Sequence, residues 1–119
     1  MKLGISYPVF EGEELLPFIL KEIRNSVDFV SVVYQPKSYL GNPAHEDLED
    51  NLLKIKEIDF LVKYENDYSL KPRENEINVR NLGLDLSRKF GCTHHISADC
   101  DEFYELERLE YVKKKILRI

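Results

Sequence analysis

The sequence of 119 residues has no tryptophan, only two cysteines and no apolar run of membrane-spanning length. A transmembrane helix needs about 20 consecutive apolar residues. The residues after Met1 are of mixed character and do not form a signal peptide. The two thiols, Cys92 and Cys100, have no CxxC spacing, which argues against zinc. We therefore expect reduced thiols and a cytoplasmic protein.

Basic residues are in the minority, with 17 lysines and arginines against 22 aspartates and glutamates and a net charge of −5. No basic stripe is interleaved with aromatic residues, so we expect no nucleic-acid partner. The run Lys113-Lys114-Lys115 is typical of a solvated helix face. A hydrophobic content of 43% and this length predict a single domain, 1–119, with one core.

Short apolar segments alternate with amphipathic segments along the whole chain. This alternation predicts an α/β fold with an open, mostly parallel, Rossmann-like sheet of about four strands and helices on both faces. The predicted strands are Lys2–Tyr7, Asp28–Tyr34, Asp59–Tyr64 and Thr93–Ala98, and the predicted helices are Glu13–Asn25, Glu46–Glu57, Arg73–Phe90 and Glu105–Ile119.

Proline and glycine mark several ends of these elements. We expect Pro8 to stop the first strand and Pro17 to lie where the first regular helix begins. Gly91 should end the third helix. Gly83 lies inside that helix, where glycine costs about 1 kcal/mol relative to alanine. Its presence predicts close packing of the helix on the sheet.

The acidic residues Asp99, Asp101 and Glu102 follow the fourth predicted strand. Their mutual repulsion would be relieved by a hard divalent ion such as Mg²⁺ or Mn²⁺, which prefers oxygen ligands. Asp99 and Asp101 are two residues apart, so in an extended segment both carboxylates point the same way. Ligands of parallel α/β sheets bind beyond the carboxyl ends of the strands. We predict a metal or nucleotide site here, the alternative being an acidic turn.

Other polar residues lie in segments expected at the same edge. Arg73 and Arg80 of the third helix would suit a diphosphate, or would pair with carboxylates on the helix surface. The adjacent His94 and His95 point to opposite faces of their strand, which favours structural roles. Cys100 should point away from the two aspartates as a structural thiol. The acids Glu11, Glu13 and Glu14 suit the start of a helix, with Glu11 nearest the site.

Four motifs together resemble the N-terminal, nucleotide-sugar-binding half of a GT-A fold glycosyltransferase, closest to the family 2 type. They are a first strand running to Pro8 and followed by Glu13-Glu14-Leu15-Leu16, a second strand ending near Tyr34, then Arg80-Asn81-x-Gly83-Leu84, and finally Ala98-Asp99-Cys100-Asp101-Glu102-Phe103. The last segment is similar to the DxD element of that family.

The resemblance implies roles for individual residues. Asp101 would bind Mn²⁺ or Mg²⁺ bridging the diphosphate, and Asp99 would contact the ribose or the metal. Arg73 or Arg80 would approach the base or the phosphates. Where the family has an aspartate that reads uracil, this chain has Tyr34-Gln35, so the donor base stays open. The residues implied to line the nucleotide pocket are Pro8, Val9, Glu11 and Tyr34.

The implied function is metal-dependent transfer of a sugar from a nucleotide-diphosphate sugar to a hydroxyl of a glycan, lipid or protein acceptor. Family members are longer, and their second half carries the acceptor site and, in inverting enzymes, the base. The chain therefore looks like the donor-binding half of a truncated domain, with Glu102 a base candidate only by proximity. A nucleotidyltransferase is an alternative, although Tyr7-Pro8-Val9-Phe10 is no glycine-rich phosphate loop. A non-catalytic nucleotide-binding or interaction module is another.

Overall fold

A computed structural model describes residues 1–117 of the chain. Short 3-10 turns, Glu13–Leu15 and Arg24–Ser26, flank the first α-helix. In chain order the elements are β1 (Leu3–Val9), α1 (Leu16–Ile23), β2 (Phe29–Tyr34), α2 (Leu48–Leu53), β3 (Phe60–Lys63), α3 (Pro72–Lys89), β4 (His94–Ser97) and α4 (Leu106–Leu117).

All four strands are parallel and lie in the order β3-β2-β1-β4, which confirms the predicted fold class. Ile5 of β1 lies opposite Val30 of β2 on one side and Ile96 of β4 on the other. The chain crosses from β1 to β2 in one direction, whereas the crossover through α3 brings β4 to the other side of β1. The strand order therefore reverses between β1 and β4, which in open α/β sheets is where a ligand crevice opens.

One face of the sheet is covered by α1, α2 and α4 through large apolar side chains. Alternate residues of β1 point to this face, because side chains of a strand alternate between its two sides. The stripe of α1 predicted from its helical spacing is buried against them. The buried members of this core are Leu3, Ile5, Tyr7, Val9, Leu16, Ile19, Leu20, Ile23, Val27, Val30, Val32, Tyr34, Leu48, Leu52, Ile55, Ala98 and Leu109.

Among residues 1–117, the opposite face is covered by α3, which approaches β1 at very short range. A Cβ atom built on Gly83 would lie 2.6 Å from the Cβ of Ser6, and one on Gly4 would lie 2.9 Å from the Cβ of Ser87. Such distances are far inside van der Waals contact, so glycine is required at both positions. The close packing predicted from Gly83 is confirmed.

Pro8 does not end β1 as predicted, because the strand continues to Val9. The oxygen of Val9 accepts from Gln35 on the β2 side, whereas that of Ser6 accepts from Ala98 on the β4 side. Since the backbone direction alternates, Pro8 faces the β4 side, where the pairing has already ended at Ser97. Its missing N–H therefore costs no ladder hydrogen bond.

Other boundaries differ from the predictions in extent. The predicted helix Glu13–Asn25 divides into 3-10 turns around α1, and Pro17 lies in the first turn of α1 as expected. The predicted helix Glu46–Glu57 shrinks to α2. Gly91 ends α3 with a φ of +82°, as predicted. The last two residues of the predicted helix Glu105–Ile119 lie outside the described residues.

Among residues 1–117, no helix combines the length and the apolar character that a membrane crossing requires.

Candidate functional site

The carboxyl ends of all four strands meet at one edge of the sheet, and the loops that follow β1 and β4 adjoin there. These are residues 10–12 and 98–105. They contact each other directly, because the thiol of Cys100 donates to the carbonyl oxygen of Glu11 at 3.5 Å. The loops that follow β1 and β4 therefore lie on either side of the point where the strand order reverses.

Arg80 and Asp99, which come from different elements, form an ion pair at this edge. Arg80 Nη2 lies 2.7 Å from Asp99 Oδ1, and Arg80 Nη1 donates to Ser97 Oγ at 2.7 Å. Glu76, one turn earlier in α3, lies 3.7 Å from Arg80 Nε. The hydrogen bond to Asp99 raises the pKa of Arg80. With the side chains 33% and 53% exposed, the pair adds little stability, and its effect is to orient both groups.

Glu102 is engaged by its own turn. Its Oε1 accepts from the backbone N–H of Asp99 at 2.9 Å, and its Oε2 accepts from the hydroxyl of Tyr104 at 3.1 Å. Its N–H in turn donates to the oxygen of Asp99 at 3.0 Å. The expectation that three carboxylates jointly need a cation is therefore too broad, because two of them have protein partners. Asp101 is exposed and has no hydrogen-bond or ion-pair partner among residues 1–117.

The residues present fit a shared metal site and not a complete protein cage. In the described part of the chain, no group of three or more His, Cys, Asp or Glu residues is arranged to hold a metal ion. Mg²⁺ is commonly held by one or two carboxylates together with substrate phosphates. Asp101, with the Asp99 oxygen that Arg80 leaves open, offers that kind of partial ligand set. The metal prediction stays a prediction.

The other predicted pocket residues differ in position. Pro8 is partly exposed, Glu11 is exposed, and the side chain of Val9 is in the core, which leaves only its backbone for a ligand. Tyr34 packs towards α2. Burial and a hydrogen bond to the Glu49 carboxylate raise its pKa to about 12. Arg73 lies exposed in the first turn of α3, so Arg80 is the arginine that reaches Asp99.

The histidines and the thiol of β4 and its following turn have the structural positions expected. His95 Nδ1 lies 2.7 Å from Ser87 Oγ, between β4 and α3, and burial lowers its pKa. His94 Nδ1 lies 2.8 Å from Thr93 Oγ1. Cys100 points towards the β1 loop, and burial raises its pKa. Cys92 and Cys100 form no disulfide.

Residues 36–45, after β2, form a compact loop, as their Pro36, Gly41 and Pro43 predict, and we call this loop the strap. Ser38 N–H donates to Asn42 O, and Ala44 N–H donates to Pro36 O, so the strap is closed by its own hydrogen bonds. Asn66, beyond β3, donates to the carbonyl oxygens of residues 37 and 38 and fastens one side of the strap. This contact joins two loops that are far apart in the chain.

Glu13, at the same edge, has surroundings that differ from the prediction. It was expected to be one of several acids at a helix start, yet it is only 4% exposed. Its carboxylate contacts His45 and Asn51. Burial opposes its ionisation, but hydrogen bonds from His45, its own backbone and Asn51 outweigh burial and lower its pKa. A buried carboxylate, unlike an exposed one, requires hydrogen-bond or ion-pair partners.

Tyr7 adds an unpartnered group beneath the site. Its side chain is fully buried, and no protein group among the described residues bonds to its hydroxyl. Burial, followed by the nearby Tyr104 and Glu102, raises its pKa.

Comparison with known proteins supplies no assignment, since no protein-family model matches the chain and no curated protein is significantly similar to it.

Proposed function

We propose that this chain is the donor-binding half of a metal-dependent glycosyltransferase. The observation that supports this most directly is the position of Asp99 and Asp101 at the reversal of strand order, with Arg80 bonded to the first of them. The same edge of an open parallel sheet is the usual location of a nucleotide site.

Each residue of this group has a distinct part in the proposal. Arg80 holds the Asp99 carboxylate in one orientation, which leaves its second oxygen for a ribose hydroxyl or a metal ion. Asp101, exposed and unpaired among the described residues, is the principal metal ligand. A bound Mn²⁺ or Mg²⁺ would neutralise the charge that develops on the departing nucleoside diphosphate.

No catalytic base is assigned within this chain. Glu102, the nearest candidate, has both carboxylate oxygens committed to the turn and to Tyr104. The proposal therefore concerns donor binding, and the acceptor, whether glycan, lipid or protein, stays open. So does the donor base, because the buried Gln35 follows β2 where the resembled family has an aspartate that reads uracil.

The test is calorimetric titration of the folded chain with UDP and with GDP, each with and without Mn²⁺. We expect binding of one nucleotide that requires the metal, and Asp101→Asn should abolish this metal-dependent binding. Asp85→Asn is the matched control, because Asp85 is an exposed aspartate of α3 on the surface beside Arg88.

Metal-independent binding of either nucleotide that Asp101→Asn leaves unchanged would favour a non-catalytic nucleotide-binding module. If neither nucleotide binds to a chain that is folded by circular dichroism, the donor-site proposal is wrong.

A further inference from the structure

The strap is fastened at two places by different chemistry. On the β3 side, neutral groups hold it: Asn66 Nδ2 donates to Lys37 O at 2.9 Å and to Ser38 O at 3.0 Å, and Tyr68 donates to Ser38 O at 3.2 Å. On the β1 side, the fastening is ionisable. His45, the last residue of the strap, has its Nε2 3.0 and 2.8 Å from the two carboxylate oxygens of Glu13.

The protonation of His45 governs the second fastening because Glu13 is buried. A buried carboxylate is costly unless a cation or several donors compensate it. Asn51 Nδ2 approaches at 3.4 Å and is neutral, so His45 is the one group within ion-pair distance of Glu13 among residues 1–117. An imidazolium adds an ion pair to the hydrogen bond, whereas a neutral imidazole supplies only the hydrogen bond.

The surroundings of His45 favour its protonated form. Glu13 from the 3-10 turn, Glu11 from the β1 loop and Asp47 from the start of α2 all act on it. Glu46 and Glu49 line the same cavity of about 200 Å³, with Lys63 of β3 as the one cation of its wall. The hydrogen bond to Glu13 is the largest influence, and together with these acids it raises the pKa of His45.

The strap also reaches the proposed donor site. Tyr39, near its middle, lies close enough to Gln35, Arg80 and Glu76 for all three to influence its ionisation. Arg80 in turn holds Asp99. Tyr39 is therefore the residue through which a change in the strap would reach Arg80 and the first aspartate.

We propose that His45 and Glu13 form a proton-operated latch, whose protonated form holds the strap closed against Glu13 and, through Tyr39 and Arg80, strengthens donor binding. The effect on the donor rests on the proposed function, whereas the latch itself does not. Closure of the strap raises the pKa of His45. The stabilisation of the closed strap is therefore complete below the pKa that His45 has in the open form. It is lost as the pH rises through the pKa of the closed form.

The latch is tested without any ligand by amide hydrogen exchange between pH 5.5 and 8.5. The strap amides of Ser38, Gly41 and Ala44 report closure, because each donates to a carbonyl oxygen inside the strap or at its edge. Their protection factors, already corrected for intrinsic rates, should fall about fivefold as the pH rises. In His45→Gln, which keeps a donor but cannot titrate, the dependence should vanish, whereas His94→Gln should retain it.

Glu13→Gln should also abolish the pH dependence, and His45→Gln decides the question if that variant fails to fold. A wild-type strap whose protection does not change with pH, or an unchanged dependence in His45→Gln, overturns the latch.

The regulatory part is measured as the affinity for the metal–nucleotide complex at pH 6 and 8. It should fall by a similar factor in the wild type and stay constant in His45→Gln. If strap protection changes with pH but the wild-type affinity for the metal–nucleotide complex does not, the proposed regulation of donor binding is wrong, while the latch itself stands. A complete lack of nucleotide binding at both pH values overturns the proposed function and the regulation, while hydrogen exchange still decides the latch.

Discussion

The two faces of the sheet are packed by different means. The face under α1, α2 and α4 is filled by leucine, isoleucine, valine and tyrosine, whereas α3 buries fewer apolar side chains, such as Val79 and Leu86, and approaches the other face closely at glycine and serine. On the first face the interaction scales with buried apolar volume. On the second it depends on the near approach of two backbones, with the half-buried His95 hydrogen-bonded between them. The two faces should therefore respond to opposite kinds of substitution.

The largest expected effect is the loss of volume on the apolar face. Leu20 of α1 is fully buried, and Leu20→Ala should lower the free energy of unfolding by about 3 kcal/mol through lost burial and a cavity. Urea unfolding monitored by circular dichroism measures it. Leu53→Ala in α2, where the side chain is 65% exposed, is the control and should cost far less. Equal losses in the two variants would contradict the assignment of this face as the main core.

A smaller effect of the opposite kind is expected from adding volume on the α3 face. Gly83→Ala gains helix propensity but forces its new Cβ against Ser6, so we expect a net loss of about 1 to 2 kcal/mol. Combining it with Ser6→Gly removes the opposing Cβ and should recover part of that loss, which a double-mutant cycle measures. A stabilising Gly83→Ala would mean that α3 does not lie this close to β1.

The smallest expected effect is a pH dependence of the free energy of unfolding that arises from His95 on the α3 face. Burial lowers the pKa of His95, so the unfolded chain binds a proton more readily than the folded one. The stability that His95 contributes is complete above the unfolded pKa of about 6.5 and declines as the pH falls below it. Unfolding free energies at pH 7.5 and 5.5 should therefore differ more in the wild type than in His95→Gln. Identical pH differences in the wild type and in His95→Gln would mean that His95 is as exposed to water in the folded chain as in the unfolded one.

The class of fold could be predicted from the sequence because hydrophobic period is a local property. Four apolar segments of strand length, separated by stretches with helical spacing, specify alternating β and α elements, and parallel pairing follows from that order. The close packing at Gly83 and the helix end at Gly91 are predictable for the same reason, since each glycine marks a local steric or conformational demand. The boundaries were less accurate, and Pro8 was misjudged because its effect depends on which neighbouring strand its nitrogen faces.

The candidate site was predicted in position but not in its internal pairing. Asp99 and Asp101 lie at the expected edge, and Arg80 reaches it. Two expectations changed in the folded chain: Glu102 is tied into its own turn, and Glu13 is a buried ion-pair partner. Neither change has a local signature, because an acidic residue beside a helix start has the same sequence pattern whether exposed or buried.

The sequence by itself determined the order of elements, the parallel sheet and the edge where the acids collect. Tertiary structure alone decided which charges have partners. Arg80 meets Asp99 across 19 residues of chain, and His45 meets Glu13 across 32. Such pairs form only when β1, β2 and β4 lie side by side, since separated segments become neighbours through the sheet and not through the chain. The physical reason is range: periodicity acts within a few residues, whereas compensation of charge depends on distance in space.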